Sequence, residues 1–332
     1  MLRKLSISVD FVRATIANTV AAGLDPNQLL IQNRISPRLL LEPEARISME
    51  RFADLQTHTM RAMRDESLGY HSRPLPLGTW TMMCHATLGA GTLLEASERL
   101  CQFYQLFDFD LHCDTRSSSK DVTIHLRHSH PGDDKNFLDH TFLFNCHRYL
   151  SWLANAFIPV HRVCLQAPQR FSKQDYHRMF LGTSVTFGTS SSLVLSKKAL
   201  LGNIEQTPLS LRHYARHPNL IMLTQSHAAS GWAGKVYGIL RKRIDQPPEL
   251  DKVAADLDLH PQTLRRRLDT EGTSFSEIKA FMRRDYALHL LGKQGLSIEE
   301  IAYRTGFSES SAFIRAFKTW TGVTPYTYRK GL

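Results

Sequence analysis

The residues with the clearest chemistry are Gln262, Arg265 and Arg266, together with Ser310, Ser311, Arg315 and Lys318 some forty-nine positions later. Forked guanidinium and amide groups match the donor and acceptor pattern that guanine and adenine present in a major groove. Short hydroxyls and a lysine ammonium suit several bases or phosphate oxygens. This is the chemistry of reading a duplex, with no bond made or broken.

Those side chains need helices to carry them. At ~100° per residue, Leu264 and Leu268 lie ~40° apart on one face, with Gln262 and Arg266 nearly opposite. Phe313 and Phe317 repeat that buried pair, with Ser311 and Arg315 opposite and Lys318 on the flank. Three consecutive arginines span ~200° of a helix, so Arg265, Arg266 and Arg267 cannot all face one groove. Arg266 is the expected base reader, Arg265 its neighbour, and Arg267 a surface or phosphate contact.

The surrounding unit is written twice. Val253 and Ala254 match Ile301 and Ala302 at an offset of 48, whereas Leu264, Arg266 and Leu268 match Phe313, Arg315 and Phe317 at 49. One residue is added in the second turn. Ser274 with Glu277, and Ser297 with Glu300, have the spacing of capping boxes that open helices. Between them SEIKAFMRRDYALHLLG predicts a helix with Ile278, Phe281, Met282, Ala287, Leu288 and Leu291 apolar, ending at Gly292. A helix of about seventeen residues is ~25 Å long, which with its turns suits two reading helices one DNA turn, ~34 Å, apart.

The stretch from about Leu250 to Arg329 closely resembles the DNA-binding domain of the AraC/XylS family of bacterial transcription regulators. Gly306, Phe307, Phe313, Arg315, Phe317, Gly322, Pro325 and Arg329 fall at the family's spacing. The resemblance implies two helix-turn-helix motifs whose second helices contact bases, through Gln262, Arg265 and Arg266 in the first copy and Ser310, Ser311 and Arg315 in the second.

Length, charge and cysteines set the frame. With 332 residues, two domains are expected, and 42% hydrophobic with 22% charged residues is an ordinary globular balance. From Gly231 onward 17 Lys+Arg face 12 Asp+Glu, giving +5 in 102 residues, against +5 in the preceding 230. Positive charge is about twice as dense where phosphate contact is expected. The five cysteines, an odd number without a C-x-x-C pair, indicate a reducing cytoplasm rather than a disulfide scaffold. Asp10 and Arg13 interrupt any signal-peptide core, and Asn145, His147, Arg148 and Asn155 break the most apolar later stretch, so no membrane partner is expected.

The N-terminal part mixes periods. Helices are expected through FVRATIANTVAAG, ending at Gly23, and SMERFADLQTHTMRAM; NQLLIQNRISPRLLLEPEARI between them reads as packing helices, since Arg34, Arg38 and Arg46 form no cationic face. GTWTMMCHATL fits a strand or a buried helix. TLLEASERLCQFYQLF is a helix opened by Thr92 and Glu95, FDFDLHCDT and DVTIHLRHS are strands, NFLDHTFLFNCHRYLSWLANAF is a helix, HRVCLQAP a strand, SKQDYHRMF a helix, and SVTFGTSSSLVLSKKAL a strand pair. LGYHSRPLPLGT, TLLEASERL and VTFGTSSSLVLS resemble, in order, the sensor region of the ornithine-utilisation-regulator branch of the same family. That implies an effector or dimerisation role.

Other chemistries find little support. His125, His128 and His130 share a strand, but His125 and His128 face opposite sides of it, and the neighbours Cys146 and His147 diverge on a helix, so a metal site is not expected. The G-x-G of LGAGTLLEA lacks the full phosphate-binding pattern, and no catalytic constellation is present, so neither an enzyme nor a cofactor is expected. Arg73, Trp80, Tyr104 and Trp152 are candidate lining for an effector pocket, or plain core. The interdomain connection is expected at about Gly202–Ser230, with GWAGKVYGILRKRI as the first helix beyond it.

The expected fold is an α+β sensor domain over residues 1–225 followed by an all-α DNA-binding domain over 226–332 bearing two helix-turn-helix motifs. The expected function is effector-controlled, sequence-specific regulation of transcription. Its partners would be double-stranded DNA, an unidentified small effector, RNA polymerase and a second copy of the chain. A nonspecific nucleoid-coating protein is the alternative, distinguished by strong salt dependence without sequence preference.

Overall fold

The computed structural model describes residues 6–107, 111–128, 136–180, 183–224, 232–244, 246–270, 274–291, 295–321 and 323–330. In chain order the elements are β1 Ser6–Ser8, α1 Val9–Ile16, α2 Pro26–Gln32, a 3-10 turn Pro37–Leu41, β2 Arg46–Ser48, α3 Met49–Met63, α4 Thr79–Leu88 and α5 Leu93–Gln105. Then come β3 Leu111–Ser117, β4 Asp121–His128, α6 Asn136–Leu153, β5 Val160–Gln166, α7 Lys173–Met179, β6 Val185–Gly188, β7 Ser191–Ser196, α8 Lys197–Leu200, α9 Pro208–Arg216 and α10 Pro218–Thr224. The last part holds α11 Trp232–Lys242, α12 Leu250–Ala255, α13 Pro261–Thr270, α14 Phe275–Leu291, α15 Ile298–Arg304, α16 Ser310–Thr321 and α17 Pro325–Lys330.

The chain forms two compact units. One comprises Ala14–Pro26 and Gln56–Gln225; the other comprises Met1–Arg13, Asn27–Leu55 and Ser226–Leu332. Met1–Arg13 and Asn27–Leu55 thus group with the C-terminal residues. The reason is burial. Arg46 of β2 is 8% exposed and donates through Nε to Ser6 Oγ at 3.1 Å and through Nη2 to the Ser6 carbonyl at 3.0 Å, closing the ribbon β1–β2, which packs on α14. Tyr328 of α17 is fully buried with its hydroxyl beside the Arg51 guanidinium, and burial pushes that phenol up to about 12.

The other unit is built on a five-stranded sheet in the order β3-β4-β7-β5-β6. Cys113, Val122, Ile124, Leu126, Val163, Leu165, Leu193 and Leu195 are buried, the alternate positions of half-buried strands. The expected strand pair over Val185–Ser196 is not a hairpin. β7 lies antiparallel between β4 and β5, and β6 pairs with β5 in parallel at the edge, because β7 carries the more apolar stretch and takes a central place. GTWTMMCHATL is the helix α4, with Met83, Cys84 and Thr87 buried. The helix expected to run to Gly23 ends at Ile16 and continues as turns closed by Gly23 at φ +75°.

The expected connection is more ordered than its two prolines suggested. Thr207 and Ser210 form a capping box with Pro208 in the first turn of α9, and Tyr214 is buried against Trp152, with ring centres 4.4 Å apart. Cys101 and Cys113 are joined in a disulfide, contrary to the expectation of free thiols; α5 and β3 bring their Cα atoms to 5.0 Å. His130, Gly231, Gly292, Gly322 and residues 108–110 of FDFDLHCDT lie outside the described residues, as does the Phe281 side chain. Among the described residues no helix is long and apolar enough to cross a membrane, and no group of three or more His, Cys, Asp or Glu side chains converges on one point.

Candidate nucleic-acid interface

The second helix of each repeat is held by its own core. In the first copy Leu264 and Leu268 of α13, 0% and 1% exposed, pack with Val236 and Leu240 of α11, Val253 and Ala254 of α12, and Ile278 and Met282 of α14. In the second copy an aromatic chain does the same work. Phe307 meets Phe313 at 5.7 Å, Phe313 meets Phe317 at 5.6 Å, and Phe317 meets Tyr328 at 5.7 Å between ring centres. Phe313, Phe317 and Tyr328 are each fully buried, and rings bury more area than leucines.

The two turns share one geometry. The Leu259 N–H donates to the Ala254 carbonyl at 2.9 Å, and Phe307 N–H to the Ala302 carbonyl at 3.0 Å. Just before each donor sits a left-handed residue, Asp258 at φ +55° and Gly306 at φ +79°. The offset is still 48 at these pairs, and it is 49 where α13 and α16 begin, at Pro261 and Ser310. The extra residue therefore lies between Phe307 and Ser310.

Long-range contacts lock the second turn. Arg283 of α14 donates from Nη2 to the Gly306 carbonyl at 3.0 Å and lies 5.0 Å from the centre of the Phe307 ring. Half-burial lowers the guanidinium pKa without neutralising it. The Ser297–Glu300 capping box opens α15 as expected: Glu300 N–H donates to Ser297 Oγ at 3.0 Å and Ser297 N–H to Glu300 Oε2 at 2.7 Å. Ser274 and Glu277 make the same exchange at the start of α14, with N–H to side-chain oxygen distances of 3.3 and 2.8 Å. At Thr92 the hydroxyl accepts from Glu95 N–H, but the Glu95 carboxylate turns to Gly91 N–H at 2.7 Å, so that box is only half made.

Among the sequence-selected side chains, Gln262, Arg265 and Arg266 are exposed on α13, and Ser311, Arg315 and Lys318 are exposed on α16. Ser310 is half-buried as the first residue of α16. Sequence reasoning passed over Glu309, whose Oε2 accepts from the Ser311 hydroxyl at 3.2 Å. The serine's lone pairs then remain to accept a base donor. Arg267 turns aside, its guanidinium carbon 4.0 Å from the centre of the Trp232 ring.

In the sheet-containing unit the four candidate pocket residues do not form one group. Trp80 donates from Nε1 to the Tyr214 hydroxyl at 3.3 Å and meets Tyr149 at 5.7 Å, while Trp152 stacks on Tyr149 at 5.9 Å. Tyr104 packs separately against Phe142 at 5.0 Å, and Arg73 is exposed. Tyr104 is buried, whereas Trp80 and Trp152 are half-buried. His147 is buried with Nε2 2.9 Å from the Ile158 carbonyl.

A sheet-containing unit with a pair of helix-turn-helix motifs, each exposing a cationic second helix, defines a DNA-binding transcription regulator. Residues 23–203 match the family described as the arabinose-binding domain of AraC transcription regulator, N-term, and residues 253–331 match a helix-turn-helix domain. The chain belongs to the AraC family of transcription regulators, a family of regulators and not of enzymes. It is 22% identical over 332 aligned positions to the ornithine utilization regulator of Pseudomonas aeruginosa, covering 98% of this chain and 96% of that one. It is 45% identical over 83 residues to an uncharacterised helix-turn-helix-type regulator of Mycobacterium tuberculosis, a match spanning 25% of this chain and 24% of the relative. The solved structure of the transcriptional regulator CdpR from Pseudomonas aeruginosa aligns over 98% of this chain and 99% of its own, at 21% identity and a TM-score of 0.32.

Proposed function

We propose that this regulator recognises specific promoter sequences by placing α13 and α16 in successive major grooves of one DNA face. A small effector held by the sheet-containing unit would set its affinity for paired half-sites or its contact with RNA polymerase. The carrying observation is the duplicated presentation: Leu264 with Leu268, and Phe313 with Phe317, are buried while Gln262, Arg265, Arg266, Ser311 and Arg315 face outward. α14, seventeen residues and ~25 Å long, is of a size to space two such helices. Pairing of two copies of the chain would double the number of half-sites read.

The test is to incubate the purified full-length protein with sheared DNA of its source genome at physiological salt and sequence what is retained. Recovery of a few promoter-proximal sites, each with two half-sites about one helical turn apart, is the expected result, and the neighbouring genes would indicate the effector. Retention without any shared motif, by the full chain and by the fragment 226–332 alike, would favour nucleoid-type coating.

A further inference from the structure

The indole of Trp232, on α11, carries two cations. Lys235 Nζ lies 4.2 Å and the Arg267 guanidinium carbon 4.0 Å from the ring centre. Lys235 comes from α11 itself, whereas Arg267 comes from the reading helix α13, so the ring joins charges from two elements. Among the described residues neither cation is in an ion pair with a carboxylate. Like charges repel, and both are gathered here by an uncharged ring, which supplies no counter-ion.

Their place on α13 indicates what the counter-ion is. Arg267 follows Arg266 by one residue, ~100° around the helix from the groove-facing row. It lies between that exposed row and the buried row of Leu264 and Leu268, on the side where α11 packs. When a helix fills a major groove its flanks face the phosphate walls, and backbone contacts there orient the protein without reading sequence. We infer that Trp232, Lys235 and Arg267 form a clamp for a DNA phosphodiester beside the groove read by α13. The indole holds Arg267 out of that groove and presents both cations, already ordered, to the backbone. Trp232 and Lys235 lie outside the matched helix-turn-helix stretch of 253–331. The inference rests on α13 being a reading helix.

The experiment measures the affinity of the full-length protein, as a function of salt, for two duplexes. One is enriched from random-sequence DNA by the wild-type protein, and the other is a shuffled sequence of the same composition. Lys235→Gln and Arg267→Gln are each expected to lower the slope of log affinity against log salt by about 0.9, so the wild type loses about threefold more affinity than either variant between 50 and 200 mM salt. Both variants weaken the two duplexes by the same factor, and Trp232→Phe, which keeps a ring face, retains more of the slope than Trp232→Leu. Unchanged slopes in both Gln variants, with unchanged melting temperatures, would overturn the clamp and leave a purely structural contact between α11 and α13. A loss confined to the enriched duplex would also overturn it, by making Arg267 a base contact. Failure of the DNA reading itself looks different: the wild type would bind neither duplex even at low salt. Lys235 is exposed, so its variant stands as a test even where Trp232→Leu impairs folding.

Discussion

Arg266 and Arg315 occupy equivalent positions in the two copies, each exposed opposite a buried pair. Replacing either with Ala is expected to weaken binding to the recognised site by about 1–3 kcal/mol and to relax preference at one base pair. Competition with a panel of single-base variants measures this, and a uniform loss over the panel would reassign the residue to phosphate contact. In the sheet-containing unit His140 is fully buried beside the Tyr176 hydroxyl, 3.0 Å from Nδ1, and burial lowers its pKa to about 4. Below its ordinary range, ~6.5, the unfolded chain takes up a proton that the folded chain refuses. Stability therefore falls as pH drops from ~6.5 toward 4, by on the order of 3 kcal/mol from this residue. Urea melts across that range should show the slope, and His140→Gln, which does not titrate, should flatten it.

At the scale of elements, the two turns make opposite predictions. Gly306 sits at φ +79°, and an added Cβ would stand 3.2 Å from Arg283 Nη2 and 3.3 Å from Pro247 Cδ. Gly306→Ala should thus cost more than the ~1 kcal/mol of left-handed backbone alone, whereas Asp258→Gly in the first copy removes a strained non-glycine residue and should be neutral or stabilising. Denaturation of the two variants side by side decides it; destabilisation by Asp258→Gly as large as by Gly306→Ala would show that the Asp258 side chain stabilises its turn. Ser297→Ala, which removes a made capping box, should cost about 1 kcal/mol. The turn equivalence was legible only in part. The shift from 48 to 49 was visible in spacing, but that Asp258 takes the place of a glycine follows from backbone angles.

At the scale of the molecule, residues far apart in sequence complete one unit. β2 and the start of α3 contribute Arg46 and Arg51, and Tyr328 near the other end of the chain is buried beside Arg51. A fragment spanning 226–332 lacks this cover, so α17 should exchange its amide hydrogens at least about tenfold faster in the fragment than in the full chain. Equal protection in the two would mean that the N-terminal ribbon contributes nothing to α17. This also bears on any DNA-binding measurement made with the fragment, since α17 abuts Phe317 of α16, the second helix of the second repeat.

The sequence alone determined the duplicated motif, its buried rows and its outward cations, because helix periodicity and capping act over three or four residues and leave their mark in spacing. The same local rules placed α6, β4 and α14 within a few residues. What only the tertiary structure decided were pairings between distant segments: β7 inserted between β4 and β5, Cys101 against Cys113, Tyr214 on Trp152, Arg267 on Trp232, and the N-terminal ribbon on α14. These depend on which apolar surfaces are left to be covered once the helices and strands have formed, and no local period encodes that choice.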